Sequence, residues 1–346
     1  MRKCLALFAF NLFFIGAYSQ NSLDETVEQG IALHDKREYV AAIAKYDDVL
    51  KVDSNHFMAN YEKAFTLSML NKYSEAVVIC EKLNRLYPFE PQLKNVYVTW
   101  GSALDYQGMP EESVIVYDKG LDEFPDFYLL HFNKAITYAK MGEMQKSREA
   151  AQEALKRNGL HASSHNLLGT ILLKDNKIAS LMASLTLLAI EPTTQRAVQN
   201  LKQAEFILNG NVSIEGNNKI NVNIDVNMLD SSKSPIDNFT SVEMMMALSA
   251  ALDLDDKNKS ESKPERLSRK MNDLVSMMWE LRKDGKGFFW EFYVPFLKEM
   301  QEKKLLNVYS HIAYASSDEK DNRKWLDKNS AEVDKFYAWL KGYKWL

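Results

Sequence analysis

Two histidines, His161 and His165, stand four residues apart, the spacing at which two imidazoles on one helical face can bind a metal ion. The chain has no HExxH motif, and no acidic residue nearby offers a third ligand. Both histidines fall at the start of a predicted helix, where exposure to solvent explains a polar side chain. The sequence therefore predicts no metal site at this pair.

The motifs of phosphate-binding and nucleophilic enzymes are missing as well. The sequence contains no GxxxxGK[ST], GxGxxG or GxSxG, and Gly285-Lys286-Gly287 is too short to cradle a phosphate. Paired carboxylates such as Glu111-Glu112 lie at a predicted helix start, where the helix dipole explains them. We predict that the protein is not an enzyme and uses no cofactor and no metal.

Composition and charge are those of an ordinary globular protein. Lys and Arg number 43 against 47 Asp and Glu, which is a net charge of −4, and no basic patch indicates nucleic-acid binding. Thirteen glycines and eight prolines among 346 residues favour helices over turn-rich β structure.

The first nineteen residues have the pattern of a secretory signal peptide. Arg2 and Lys3 precede an apolar run from Leu5 to Ile15, and Ala17-Tyr18-Ser19 places small residues where a signal peptidase reads. We predict secretion across the inner membrane to a periplasmic or extracellular location, soluble after signal cleavage. The alternative is an N-terminal membrane anchor, but this run would span only about 16 Å as a helix.

The mature chain is predicted to hold one cysteine and no membrane span. Cys80 follows the apolar pattern of its segment, which predicts a buried small hydrophobe, and a single cysteine cannot form a disulfide within its own chain. No later segment approaches eighteen consecutive apolar residues.

The elements that carry these residues recur along the first half of the chain. A small residue in the middle of each predicted first helix returns at an almost constant interval, with one slightly longer step in the second place: Gly30, Ala64, Gly101, Ala135 and Gly169. A second marker follows each of them at a fixed distance: Ala42, Ala76, Ser113, Ser147 and Leu181. Except at Leu181, the small side chains at these positions let two helix axes approach closely. Tyr46 and Tyr117 are expected to fill the gap to the next repeat.

Prolines punctuate this pattern. Tyr87-Pro88 and Phe124-Pro125 end two predicted second helices, because proline cannot continue a helix and restricts the residue before it. Pro110 instead opens a second helix as a first-turn residue. The pattern resembles the tetratricopeptide repeat (TPR), whose unit is two antiparallel helices and whose period is about 34 residues. The resemblance covers about residues 23–208 and implies an all-α solenoid of about five helix pairs.

Two further helices follow from apolar spacing near the end of the repeats. The second helix of the fifth repeat, 178–190, is apolar almost throughout, so we expect it to be buried between the solenoid and the following module. The next helix places Ala197, Leu201, Ala204 and Leu208 on one face and should cap the array.

No family is recognised in the second half. Alternating residues in 211–229 predict a small β-hairpin with a turn at 216–218, and its apolar face should pack on a helix or else offer an edge to a partner. We predict four segments: a signal peptide 1–19, the repeat solenoid with its capping helix 20–208, a hairpin and linker with a short helix 209–263, and an aromatic-rich helical module 264–346.

The last module holds five of the six tryptophans: Trp279, Trp290, Trp325, Trp339 and Trp345. Because aromatic side chains bury large areas, they are expected to form its core. The alternative is an exposed patch for a protein or a sugar ring, centred on Phe288-Phe289-Trp290, since one helix cannot point three consecutive rings at one core.

In a tetratricopeptide array the first helices line a concave groove, and the resemblance assigns its positions. They are Met58, Tyr61, Phe65 and Met69 in repeat two, Asn95, Ser102, Asp105 and Tyr106 in repeat three, Leu129, Phe132, Asn133 and Ile136 in repeat four, and Asn166 and Thr170 in repeat five. Aromatic residues and methionines suit a protein partner. The family's carboxylate-clamp pattern is not met, because Asn133 and Asn166 stand without the lysines, so a chaperone C-terminal tail is not expected.

We therefore predict a secreted scaffold that binds a protein or an extended peptide in its groove, in envelope assembly or secretion. The alternative function is binding of a glycan or envelope polymer by the aromatic module. The residues do not determine the oligomeric state.

Overall fold

The computed structural model describes residues 22–209, 212–215, 219–222, 236–252, 260–317 and 320–346. The predicted signal peptide, 1–19, lies outside the described residues. The described chain is all-α apart from two short strands. Its contacts divide it into two compact units, the first ending at Glu143 and the second beginning at Met144.

Short loops connect the helices of the repeat region. These helices are α1 (22–35), α2 (Tyr39–Val52), α3 (Phe57–Met69), α4 (Tyr73–Leu86), α5 (Leu93–Tyr106), α6 (Pro110–Glu123), α7 (Tyr128–Lys140), α8 (Met144–Arg157), α9 (Ala162–Ile171), α10 (Lys177–Ile190) and α11 (Gln195–Asn209). The odd-numbered helices from α1 to α9 are the first helices of the five repeats, and the even-numbered helices from α2 to α10 are the second helices. The predicted ends are confirmed, since Tyr87 and Phe124 follow the last residues of α4 and α6, and Pro110 opens α6.

Each tyrosine of the repeat pattern lies against a glycine. A Cβ atom on Gly30 would overlap the ring of Tyr46, and one on Gly101 would overlap the ring of Tyr117. Both rings are buried, so the absence of a side chain on the first helix is what admits a tyrosine from the second. Cys80 is buried and free, as predicted.

The first unit is curved because its two sides differ in length. Successive first helices contact one another, with α5 touching both α3 and α7, whereas successive second helices stay farther apart. A stack bends toward its shorter side, so the first helices form the concave side of this unit.

The second unit continues with strands β1 (Val212–Glu215) and β2 (Lys219–Val222) and with helices α12 (Thr240–Leu252), α13 (Lys263–Leu281), α14 (Phe288–Glu302), α15 (Leu306–Ala313), α16 (Lys320–Lys328) and α17 (Ser330–Gly342). The strands pair antiparallel, with Val212 opposite Val222. A pairing this short does not establish a hairpin module. The predicted continuation to Met228 lies outside the described residues, and packing of the strands on a helix stays a prediction.

Helix α10 is buried along almost its whole length, as its composition predicts. Helices α14 and α15 pack against it, and the Tyr309 hydroxyl donates to the Leu185 carbonyl over 2.7 Å. The C-terminal helices therefore cover the apolar surface of α10 that its partner α9 does not bury.

The aromatic residues of the last module form its core. Trp345 stacks on Phe292 and Phe296 with ring centroids 4.7 and 4.6 Å apart. The alternative of an exposed Phe288-Phe289-Trp290 patch is wrong, because neighbouring segments surround the start of α14 on several sides. Phe289 and Trp290 are buried, and the Trp290 ring stacks on Phe239 at 4.3 Å.

Asp237 joins four segments of the second unit. Its carboxylate pairs with Arg148 of α8 and accepts from the Phe289 amide at 2.9 Å, at the start of α14. Its carbonyl accepts from the Asn176 side chain at 2.8 Å, next to α10. Gly287 has φ +109°, and a Cβ there would overlap the Asp237 carboxylate.

We predict that Gly101→Ala destabilises the first unit by about 1–3 kcal/mol, because the added methyl group overlaps the buried Tyr117 ring. Chemical unfolding followed by circular dichroism measures this loss. Gly101→Ala combined with Tyr117→Leu should recover part of it. Equal losses in the single and double variants would contradict the assigned contact.

We predict that Asp237→Ala destabilises the second unit by roughly 3 kcal/mol, because it leaves the Arg148 charge unpaired and removes an acceptor at the start of α14. Asp237→Asn keeps that acceptor and should lose about half as much. Guanidinium unfolding followed by tryptophan fluorescence reports on this unit, and exposed Asp284→Ala is the control. A loss no larger than that of the control would rule out the joining role.

Candidate functional site

The predicted groove residues of repeats two to four lie on the first helices of the first unit, and we call the concave surface that these helices form the inner face. They are Met58, Tyr61, Phe65 and Met69 on α3, Asn95, Ser102, Asp105 and Tyr106 on α5, and Leu129, Phe132, Asn133 and Ile136 on α7. Most are half-buried. Tyr106 and Met69 are the most open, with 63% and 45% of their surface exposed.

The two predicted groove residues of repeat five belong to the second unit. The Asn166 side-chain oxygen accepts from Asn200 of α11 at 2.8 Å, and the Thr170 hydroxyl donates to the Asn166 carbonyl at 2.8 Å. The first contact ties α9 to the capping helix, and the second lies within α9.

A row of rings runs across the first two repeats. His34 of α1 stacks on Phe65 of α3 with ring centroids 5.0 Å apart, and Phe65 lies parallel to Tyr61 at 6.5 Å. The His34 Nδ1 atom lies 2.7 Å from the Thr66 hydroxyl, which fixes the imidazole orientation. Tyr61 packs on the core of repeats two and three, so its truncation would also cost stability.

Three carboxylates accompany this row. Burial, and then the charges of Glu28 and Asp35 on α1, raise the pKa of Glu62 on α3 to about 7. The Glu62 charge also acts on Tyr46 of α2, because burial and then this charge raise the pKa of Tyr46 to about 12. The surface between the first two repeats is therefore acidic, and the pKa of its half-buried member Glu62 is raised by burial first and by like charges second.

The other end of the inner face holds a cation of the chain itself. The Lys140 ammonium of α7 lies 2.5 Å from the Asp105 carboxylate and 4.4 Å from the centre of the Tyr106 ring. Tyr106 stacks in turn on Tyr73 at 5.3 Å. A carboxylate and a ring on α5 together bind one ammonium group from the next repeat.

Sequence reasoning missed the acidic part of this site. The groove positions that the resemblance assigns begin at repeat two, and Glu62 is not among them. A signal was present, because Glu62 follows Glu28 by the same interval that separates Ala64 from Gly30, and so occupies the same place in the next repeat.

The pair His161 and His165 differs from the sequence interpretation. His165 is buried rather than exposed, because the C-terminal module covers the start of α9. Its Nε2–H donates to the Gly159 carbonyl at 2.9 Å, its Nδ1 accepts from the Tyr293 hydroxyl at 2.8 Å, and burial lowers its pKa to about 3. Both nitrogens are thus bonded within the protein, and Nδ1 joins repeat five to the last module.

The second unit also contains a cavity of about 380 Å³ beside the Asp237 junction. Arg148, Asp175, Asn176 and Glu243 lie in its wall with apolar residues of α9 and of 236–240. Sequence patterns do not indicate it, since its wall joins residues almost a hundred positions apart.

In 22–209 and the later described segments, no three His, Cys, Asp or Glu side chains come together as a metal site would require. No helix among the described residues is both long enough and apolar enough to cross a membrane.

Comparisons with known proteins agree with the repeat pattern. No profile of a protein family matches the chain. The TPR repeat-containing protein MJ1428 of Methanocaldococcus jannaschii is 22% identical over 132 residues, which are 38% of this chain and 23% of that relative. The chain thus matches less than a quarter of the relative's length.

Solved structures with similar helix pairs cover about half of the chain. TTC0263, a thermophilic TPR protein of Thermus thermophilus, is 18% identical with a TM-score of 0.47, over 53% of this chain and 100% of its own. PilW, a type IV pilus biogenesis factor, is 18% identical with a TM-score of 0.47, over 53% and 84%. YrrB, a TPR protein with an unusual peptide-binding site, is 20% identical with a TM-score of 0.39, over 55% and 97%.

We predict that Glu62→Gln stabilises the first unit at pH 8 but not at pH 4.5. The folded-state pKa of Glu62 lies above its ordinary value of 4.5, so its contribution is fully present below pH 4.5 and is lost as the pH rises through about 7. Glutamine carries no charge at either pH, so the variant does not lose this contribution as the pH rises. After a discount for partial exposure, we expect a gain on the order of 1 kcal/mol at pH 8.

Chemical unfolding of the wild type and the variant at both pH values measures this difference, with exposed Glu81→Gln as the control. A gain of the same size at pH 4.5 and pH 8 would mean that the carboxylate charge is not its cause.

Proposed function

Because about half of this chain consists of tetratricopeptide repeats, we propose that it is a scaffold that binds another protein, or an extended segment of one, along the inner face. The observation that carries this proposal is the exposure of large apolar side chains on the concave side. Tyr106 exposes most of its surface and Met69 nearly half of its surface there, and Phe65 and Phe132 on the same first helices are half-buried. Aromatic residues in a concavity are favoured anchors for a partner.

The partner would lie across consecutive first helices rather than in a deep pocket. Polar groups such as Asn95, Ser102 and Asn133 alternate with the apolar ones along α5 and α7. This alternation suits an extended chain, whose side chains point in turn toward and away from the surface while amides satisfy its backbone.

The place of action is inferred from the N-terminal pattern alone. A positively charged start, an apolar run and small residues before Gln20 favour export, so we propose a role in the cell envelope or outside the cell, in assembly or secretion. The alternative of glycan binding by the aromatic module has less support, because most rings of this module pack on one another.

We predict that Met69→Ala combined with Tyr106→Ala reduces capture of the partner at least about tenfold, because both side chains are open anchors. The matched control is Val78→Ala with Ile115→Ala, which removes two side chains of 64% and 67% exposure from the second helices α4 and α6. Quantitative mass spectrometry of proteins retained from the native envelope compares wild type, variant and control.

Circular dichroism should show equal helical content in all three proteins. Proteins retained equally by the inner-face variant and by the control would place binding elsewhere on the molecule.

A further inference from the structure

We propose that the segment bound on the inner face is cationic, an extended stretch in which Lys or Arg side chains alternate with apolar ones. This inference rests on the proposed function and names the chemistry of the partner. In it, one basic side chain of the partner enters between repeats one and two, beside Asp35, Glu62 and the ring row.

The internal repeat supplies the template for this site. A shift of two repeats along the chain is the interval that leads from Gly30 to Gly101. By that interval Asp105 and Tyr106 correspond to His34 and Asp35, so a carboxylate and a ring stand side by side in both places.

The cation of the template has no counterpart between repeats one and two. Lys140 lies against Asp105 and the Tyr106 ring, and the residue that corresponds to Lys140 is Met69. The first two repeats thus present the same two kinds of acceptor group, a carboxylate and a ring in exchanged positions, with an apolar thioether where the ammonium group would come from. A basic side chain from a partner can supply it.

Three carboxylates of one sign come together at this place. Burial, and then the charges of Glu28 and Asp35, raise the pKa of Glu62, and the three groups come from α1 and α3. The nearest lysine on α3, Lys63, turns to α2 and bonds Asp47 at 2.5 Å, and the Asp24 carboxylate accepts from His56 at 3.1 Å. An incoming ammonium or guanidinium group would relieve repulsion that is already present.

The rings add a second contact for the same cation. The Phe65 and His34 rings stack on each other, and the Asp35 charge acts on His34. A cation over such a ring face within about 6 Å is attracted to it. The apolar residues next in line, Met69 and Tyr61, then receive the neighbouring apolar side chains of the partner. Charge and apolar surface therefore follow one another along the inner face in the order that the proposed segment requires.

We test this with a displayed library of short random peptides selected on the immobilised protein, and with the affinity of the best peptide measured by fluorescence anisotropy. We expect Lys and Arg to be enriched over Asp and Glu. Glu28→Gln, Asp35→Asn and Glu62→Gln together should weaken binding at least about tenfold. The control removes three carboxylate charges from exposed sites on the second helices, with Glu81→Gln, Glu112→Gln and Asp122→Asn. This control should leave the affinity unchanged.

A second pair of variants places the missing cation in the chain itself. Met69→Lys should occupy the site from within, as Lys140 does, whereas Met69→Gln removes only the apolar contact. We expect the lysine variant to bind the selected peptide at least about tenfold more weakly than the glutamine variant.

The outcomes separate this inference from the proposed function. Selected peptides that are neutral or acidic, or that bind the Met69→Lys and Met69→Gln variants equally, would overturn the cationic partner and leave the scaffold intact. Peptides whose binding ignores Met69→Ala with Tyr106→Ala would remove the inner face as the binding surface, and the cationic site with it.

Discussion

The close approach of the two helices within a repeat is the constraint on which the rest of the structure depends. A glycine on the first helix admits a buried tyrosine from the second, as with Gly101 and Tyr117. The amphipathic pair cannot bury its apolar faces alone, so the pairs stack on one another. Because first helices approach each other more closely than second helices do, the stack bends and a concave face results. The fold thereby keeps one set of side chains outside the core and available to a partner.

The end of the array shows how the same constraint is met without another repeat. Helix α10 is apolar on all sides, and the C-terminal helices bury it. Three polar links fix this packing: the Asp237 carboxylate with Arg148, the Tyr309 hydroxyl with Leu185, and His165 between Gly159 and Tyr293. Each places a polar group where burial without a partner would be costly, so each specifies one way of docking the module.

Much of the repeat region could be predicted from the sequence, because its signals are local. The regular period of small residues, the helix ends at Tyr87 and Phe124 and the burial of α10 all follow from spacing and composition. Contacts between distant residues could not be predicted in this way. The prediction that His165 is exposed was wrong, because Tyr293, the residue that bonds it in the interior, lies far along the chain in the last module. The acidic surface around Glu62 was missed for another reason: the repeat interval relates Glu62 to Glu28, but the assigned groove positions begin at repeat two and omit both residues.

Site-specific photo-crosslinking tests most directly whether the concave side is the binding surface. A benzophenone amino acid replaces either Tyr106 on the inner face or Ile115 on the opposite side, two positions of similar exposure. If partners lie along the first helices, light produces an adduct from position 106 and none from position 115. The same adduct from position 115, with none from position 106, would contradict a binding surface built by the first helices.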